Sequence, residues 1–270
     1  MNAMKRTIHF VAGLPRSGST LLCNLLAQNP RFHATATSGI LDLILLVRNQ
    51  WDKVQATKDN EGKLRAMRGI LNAYHDDPAN QKPIVFDKSR AWLGFLELAE
   101  AILEREAKVL VCVRDVCDVL ASFERLTRMN AVLRQMPQEH DNFFKWQTLE
   151  GRCETWVSNN QPVGLAYNRI RDALARGYRD RLHFIAFEKL TTDPRATMQK
   201  VYQFLGEPEY AHNFDHVEQV TWEDDDLHGI PGLHTIRPKI EPVPPQWPKY
   251  LNQALADLYA KNNELWREYV

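Results

Sequence analysis

Three places in this sequence gather residues able to hold an anion. The first is Gly13-Leu14-Pro15-Arg16-Ser17-Gly18-Ser19-Thr20, which follows the apolar run Ile8 to Ala12 and enters Leu21-Leu22-Cys23-Asn24-Leu25-Leu26. A strand passing through glycines and small hydroxyls into a leucine-rich helix makes a phosphate cradle from backbone N–H groups at a helix N-terminus. The glycine spacing is that of a P-loop, yet Ser19 stands where nucleoside-triphosphate loops place a lysine that reaches the terminal phosphates. The cation inside the loop is instead Arg16, whose guanidinium is a fixed fork of donors that clamps a phosphate or sulfate without metal. This argues against an ordinary ATPase, and a bare strand-to-helix turn would gain nothing from so many small polar residues.

The second place is Pro83-Ile84-Val85-Phe86-Asp87-Lys88-Ser89-Arg90, a short apolar run that ends in charges. Ligands of open parallel sheets sit at the carboxyl ends of the strands, so Lys88 is expected to point into the same crevice as Arg16. A solvated loop lysine would have the same sequence. The third is Arg114-Asp115, which ends the run Lys108 to Val113 and precedes a helix over Val116 to Arg128. Helical spacing sets Asp115, Asp118 or Val119, and Ser122 along one side. Arg114 and Ser122 can then hold a second anion together; a salt bridge from Arg114 to a neighbouring carboxylate is the alternative.

The elements that must position these groups read as one α/β domain over residues 1–270, and a hydrophobic fraction of 44% suffices for a core. Helices are expected over Ile40 to Trp51, Glu61 to Tyr74 with an N-cap at Asp59-Asn60, Gly94 to Arg105 and Pro162 to Ala175. The run Lys108 to Val113 is apolar throughout, as in a strand buried on both faces, and Leu182 to Phe187 is a further strand. Asp193 caps and Pro194 opens a helix that Gly206 stops. Pro30 to Gly39 shows no helical period and is expected to cross the top of the sheet. Tyr250 to Tyr269 is expected to close the chain as an amphipathic helix. The polar and aromatic segment 126–160 reads as a helical lid or acceptor-binding wall, or as an excursion whose aromatics cover the core. Residues 221–247 read as an irregular loop that folds over a ligand or simply wraps the surface.

Lysine plus arginine (34) equals aspartate plus glutamate (34), so no global field draws the chain to nucleic acid or an anionic membrane. No stretch approaches the roughly 20 apolar residues of a membrane span, and the first residues are too few for a signal peptide. Cysteines at 23, 112, 117 and 153 lack metal-ligand pairing and suit buried thiols in a cytoplasmic protein.

With both anion corners in view, the chain resembles the sulfotransferases that use 3′-phosphoadenosine 5′-phosphosulfate (PAPS). Gly13 to Thr20 resembles their 5′-phosphosulfate loop, and Val113-Arg114-Asp115 with Ser122 resembles their 3′-phosphate site. Phe187-Glu188-Lys189-Leu190, then Asp193-Pro194 and Phe204-Leu205-Gly206, resemble a stretch late in that fold. The detail leans toward bacterial members and the tyrosylprotein branch, which has a catalytic lysine where Lys88 stands.

The resemblance implies an α/β, three-layer P-loop-like fold with a central parallel sheet flanked by helices. It also implies PAPS as co-substrate, no metal, and sulfuryl transfer to an unidentified hydroxyl or amine acceptor. Pro15, Arg16, Ser17, Gly18, Ser19 and Thr20 would cradle the 5′ end, Arg114 and Ser122 would recognise the 3′-phosphate, and Arg16 and Lys88 would be catalytic. One departure stands out. The glutamate base of the tyrosylprotein branch, about twenty residues after the loop arginine, is replaced by Ala34-Thr35-Ala36-Thr37-Ser38-Gly39. His33, Asp42 and Asp87 are then the candidate bases. A P-loop nucleotide kinase and a non-catalytic nucleotide-binding protein are the competing readings.

Overall fold

The apolar runs assemble into a parallel sheet in the computed structural model, which describes residues 6–56, 58–77, 81–132, 135–228 and 230–270. Strands β1 (Thr7–Gly13), β2 (Phe32–Thr37), β3 (Ile84–Lys88), β4 (Val109–Val113) and β5 (Leu182–Ala186) lie in the order β2-β3-β1-β4-β5. Side chains alternate between the two faces of a strand. Ile8, Phe10 and Ala12 of β1 join Val109, Val111 and Val113 of β4 in one core, whereas Val11, Leu110, Cys112 and Ile185 enter the other. Two buried faces explain why these strands are apolar without alternation.

The second face is covered by α1 (Ser19–Ala27), and the first by α2 (Ile40–Val54), α3 (Asn60–His75), α4 (Leu96–Leu103) and α5 (Val116–Asn130). The chain continues through α6 (Pro137–Asp141), α7 (Phe143–Trp146), α8 (Leu149–Val157) and α9 (Pro162–Ala175) on that first side. After β5, α10 (Phe187–Thr192) and α11 (Pro194–Leu205) return to the second side, and α12 (Gln253–Ala260) packs into the first. The result is the three-layer α/β arrangement expected. Among the described residues no helix is long and apolar enough to cross a membrane. The four cysteines are buried free thiols, and burial pushes Cys23 up to about 11, which keeps it protonated and inert.

Two elements differ from the sequence reading. Pro30 to Gly39 does not merely cross the sheet: Phe32 to Thr37 pairs with β3 as an edge strand, and Phe32 and Ala34 alternate inward. Its small residues and single partner hide that period. The last helix stops at Ala260 and gives way to 3₁₀ turns over Lys261–Leu265 and Arg267–Tyr269. Asn263 is diverted into tertiary bonds, accepting from Val116 N at 2.9 Å and donating to Asp115 Oδ2 at 2.7 Å.

The caps follow the local chemistry. Asp193 Oδ1 accepts from Ala196 N at 3.1 Å, Pro194 opens α11, and Gly206 ends it at φ 75°. Asp193→Ala is expected to cost about 1 kcal/mol, visible as a fall in Tm of roughly 2–4 °C by calorimetry.

Candidate active site

β1 lies at the centre of the sheet, with β3 and β4 on either side. The chain leaves β1 for the β2–β3 side and later crosses to β4, so a crevice opens beyond the carboxyl ends of these strands. The register pairs Val11 with Lys88 and Gly13 with Cys112, which brings three strand ends level. The glycine loop follows β1, Lys88 ends β3, and Arg114 follows β4. All three line one cavity of about 910 Å³, together with Pro15, Arg16, Gly18, Ser19, Thr20 and Ser122.

The loop turns on three positive φ angles: Gly13 at 121°, Arg16 at 60° and Gly18 at 86°. Leu14 N donates to Cys112 O at 2.9 Å, and the buried Ser17 hydroxyl donates to Leu14 O at 2.6 Å. The Ser17 side chain therefore shapes the loop from within. Arg16 adopts a left-handed conformation uncommon for a side-chain-bearing residue, a form of strain found at ligand sites. Its Nε donates to Ser122 Oγ at 3.1 Å, and its Nη1 donates to Leu233 O.

Arg114 lies over the Phe187 ring, 4.5 Å from its centroid, and donates to Arg16 O at 3.2 Å. Its contact with Asp118 is long, at 3.4 Å. Asp118 is already engaged by Gln246 N and Trp247 N at 2.8 and 2.9 Å. Arg114 Nε is buried and has no hydrogen-bond partner among the described residues. Ser122 thus bonds Arg16 rather than Arg114 and ties the two anion corners together. Burial, then repulsion by Arg125 and Arg114, lowers Arg16 to about 10, against the attraction of Asp225. Guanidinium groups crowded in a partly desolvated cavity oppose one another unless an anion lies among them.

Lys88 is buried, and its ammonium meets Glu223 Oε1 at 2.5 Å and Thr20 Oγ1 at 3.3 Å. Thr37 N also donates to Glu223 Oε1, at 3.3 Å. The other oxygen, Oε2, lies 3.4 Å from His234 Nε2, and His234 Nδ1 lies 2.6 Å from Asp225 Oδ1. Burial would push the Glu223 carboxyl up, but the Lys88 charge and hydrogen bond, with Thr37 and His234, bring it below its ordinary range. Burial lowers His234, against its bond to Asp225 and the charge of Glu223.

Asn24 of α1 holds this segment in place. Its Oδ1 accepts from Val220 N at 2.6 Å and Thr221 N at 3.0 Å, and its Nδ2 donates to Thr221 Oγ1 at 2.9 Å. Neither Asn24 nor Glu223 stands out by motif. A lone amide among leucines signals a buried anchor, but Glu223 in an irregular acidic stretch carries no local signal.

The three candidate bases lie elsewhere. The Asp87 carboxylate is fully buried, accepts from Trp92 Nε1 at 2.6 Å and lies 3.2 Å from His75 Nε2. His33 pairs with Val85, three residues before the strand end that carries Lys88. Asp42 is exposed in the first turn of α2. None of the three lines the cavity. Segment 126–160 divides its roles: Trp146, Cys153 and Trp156 fill the core, while Met136, Pro137 and Gln138 face the cavity. From 221–247, Glu223 and Leu233 to Arg237 also line it.

A family model described as "Sulfotransferase family" matches residues 9–212. The 3-beta-hydroxysteroid sulfotransferase of Cavia porcellus is 25% identical over 107 residues, which are 40% of this chain and 34% of that protein. The match thus spans about a third of the curated relatives' length. The sulfotransferase domain of the Synechococcus PCC 7002 olefin synthase superposes with a TM-score of 0.56 at 20% identity, covering 98% of this chain and 97% of that one. Mouse sulfotransferase SULT7A1 complexed with PAP gives 0.57 at 14% identity, covering 99% and 86%. Likeness at this identity is likeness of fold.

Proposed function

The chain belongs to the sulfotransferase family, and from that premise we propose that it transfers the sulfuryl group of PAPS to an acceptor hydroxyl or amine. The observation that carries this reading is the convergence of Arg16, Lys88 and Arg114 from three adjacent strand ends on one cavity. The buried, unpartnered Nε of Arg114 adds to it. These groups suit a ligand with an anionic group at each end. About 910 Å³ also lies in the upper range of pockets that enclose small ligands, room for a nucleotide and an acceptor.

In the proposed site the loop from Pro15 to Thr20 holds the 5′-phosphosulfate with its N–H groups and the Ser19 and Thr20 hydroxyls. Arg114 and Ser122 take the 3′-phosphate that distinguishes this donor from ATP. During transfer, negative charge grows on the oxygen between sulfur and phosphorus, and Arg16 and Lys88 oppose it there. Met136 to Gln138 form part of the acceptor wall. Loop 221–247 covers the bound nucleotide. The natural acceptor belongs to a chemical class that a screen must identify, and radiolabelled sulfuryl transfer from PAPS to a metabolite or peptide extract is that screen.

Nucleotide recognition has a direct test. Arg114→Ala should weaken adenosine 3′,5′-bisphosphate by about 1.5–3 kcal/mol, the range for a hydrogen bond to a charged group, and leave adenosine 5′-monophosphate nearly unchanged. Calorimetry with equal losses for the two nucleotides would remove Arg114 from the 3′-phosphate.

A further inference from the structure

We propose that Glu223 holds Lys88 back from the sulfuryl donor until His234 has taken the acceptor's proton. The inference rests on the donor reading above and concerns the order of events in the same cavity.

Glu223 serves two cations through two oxygens. Oε1 holds the Lys88 ammonium at 2.5 Å, and Oε2 faces His234 Nε2 at 3.4 Å. The Glu223 side chain is 7% exposed, so little water competes for either oxygen. His234 is set as a base by Asp225: its Nδ1 donates to Asp225 Oδ1 at 2.6 Å, which leaves Nε2 as the nitrogen that gains a proton. Burial lowers the ring's proton affinity and keeps it neutral before reaction.

While the imidazole is neutral, Lys88 is the cation in contact with Glu223. A proton on Nε2 places a second cation against the same carboxylate, and the hold on Lys88 weakens. The lysine's other partner, Thr20 Oγ1 at 3.3 Å, belongs to the glycine loop, so release carries the ammonium toward the donor end of the cavity. The charged groups around this relay are Lys88 from β3, Glu223 and Asp225 from the C-terminal segment, Arg16 from the loop beside Asp225, and Arg90 beside Glu223.

The bonds balance without a further reactant. The acceptor oxygen bonds to sulfur, and the bond from sulfur to the phosphate oxygen breaks. That oxygen keeps the electron pair, opposed by Lys88, and the acceptor's proton ends on His234 Nε2. His234 is a catalytic residue in this scheme, and Glu223 is a positioning residue that acts through Lys88. Without an acceptor the lysine stays on Glu223, and the donor is protected from water.

The test is the rate of PAPS hydrolysis without any acceptor, measured beside calorimetric binding of adenosine 3′,5′-bisphosphate. Glu223→Gln keeps the shape but loses the charge and should raise hydrolysis about tenfold or more. Adding Lys88→Ala should return the rate to the wild-type level or below. A merely structural role for Glu223 would not give a gain that depends on Lys88. If Glu223→Gln did not fold, Glu223→Asp withdraws the carboxylate by one carbon and carries the same expectation. Unchanged or slower hydrolysis in a variant that still binds the bisphosphate overturns the gate and leaves the donor reading standing. A wild-type protein that binds neither PAPS nor the bisphosphate overturns both.

Discussion

Lys88→Ala should lower sulfuryl-transfer turnover by roughly 10² to 10³, the cost of removing one preorganised donor aimed at developing charge. The ammonium is buried at the end of β3, level with the glycine loop, within 3.3 Å of Thr20 Oγ1. Little bulk water reaches that position, so no solvent cation replaces it. Binding of the bisphosphate product should change much less, because Arg114, Ser122 and the loop amides remain. Initial rates of transfer from labelled PAPS, with bisphosphate affinity measured in parallel, separate the two effects. Undiminished turnover would take Lys88 out of the chemistry. Loss of affinity and turnover together would assign it to ground-state binding.

Gly13→Ala should destabilise the fold by more than about 4 kcal/mol, in the range reserved for strain and overpacking that a site cannot relieve. Gly13 has φ 121°, and an added Cβ would lie 2.0 Å from Cys112 O, 2.6 Å from Cys112 N and 2.8 Å from Cys112 C. Those atoms are backbone of β4, an interior strand paired on both sides, and cannot give way. The same Cys112 oxygen accepts from Leu14 N, the bond that starts the loop. Denaturant midpoints would show a collapse of stability or no folded protein at all. Gly18→Ala is the informative contrast, since its added Cβ would meet the Phe187 ring edge at 2.6 Å, a side chain rather than a strand. A Gly13→Ala protein of wild-type stability would mean that β1 and β4 approach less closely than this register requires.

Much of the fold was legible because its signals are local. Continuous apolar runs mark strands buried on both faces, and Asp59 and Asp193 accept from the backbone N–H three residues on, as caps do. Edge strand β2 was obscured because Phe-His-Ala-Thr-Ala-Thr buries little and leans on one neighbour. The end of α12 was obscured because Asn263 is spent on α5 and its cap, an interaction no helical period encodes.

The candidate site divides along the same line. The sequence by itself determined the cradle from Gly13 to Thr20 and the placement of Lys88 and Arg114 at strand ends. Each depends on backbone conformation within a few residues, and a parallel sheet brings such ends together. Tertiary structure alone decided which carboxylate meets the lysine. Asp87, its neighbour in sequence, is turned into the core toward Trp92 and His75, because alternate residues of a strand face opposite ways. Glu223 arrives from 135 residues away. Its irregular segment is tied down where Asn24 of the first helix captures the backbone of Val220 and Thr221. A loop without regular structure takes its position from such anchors, and an anchor 197 residues distant in the chain leaves no mark on the local sequence it positions.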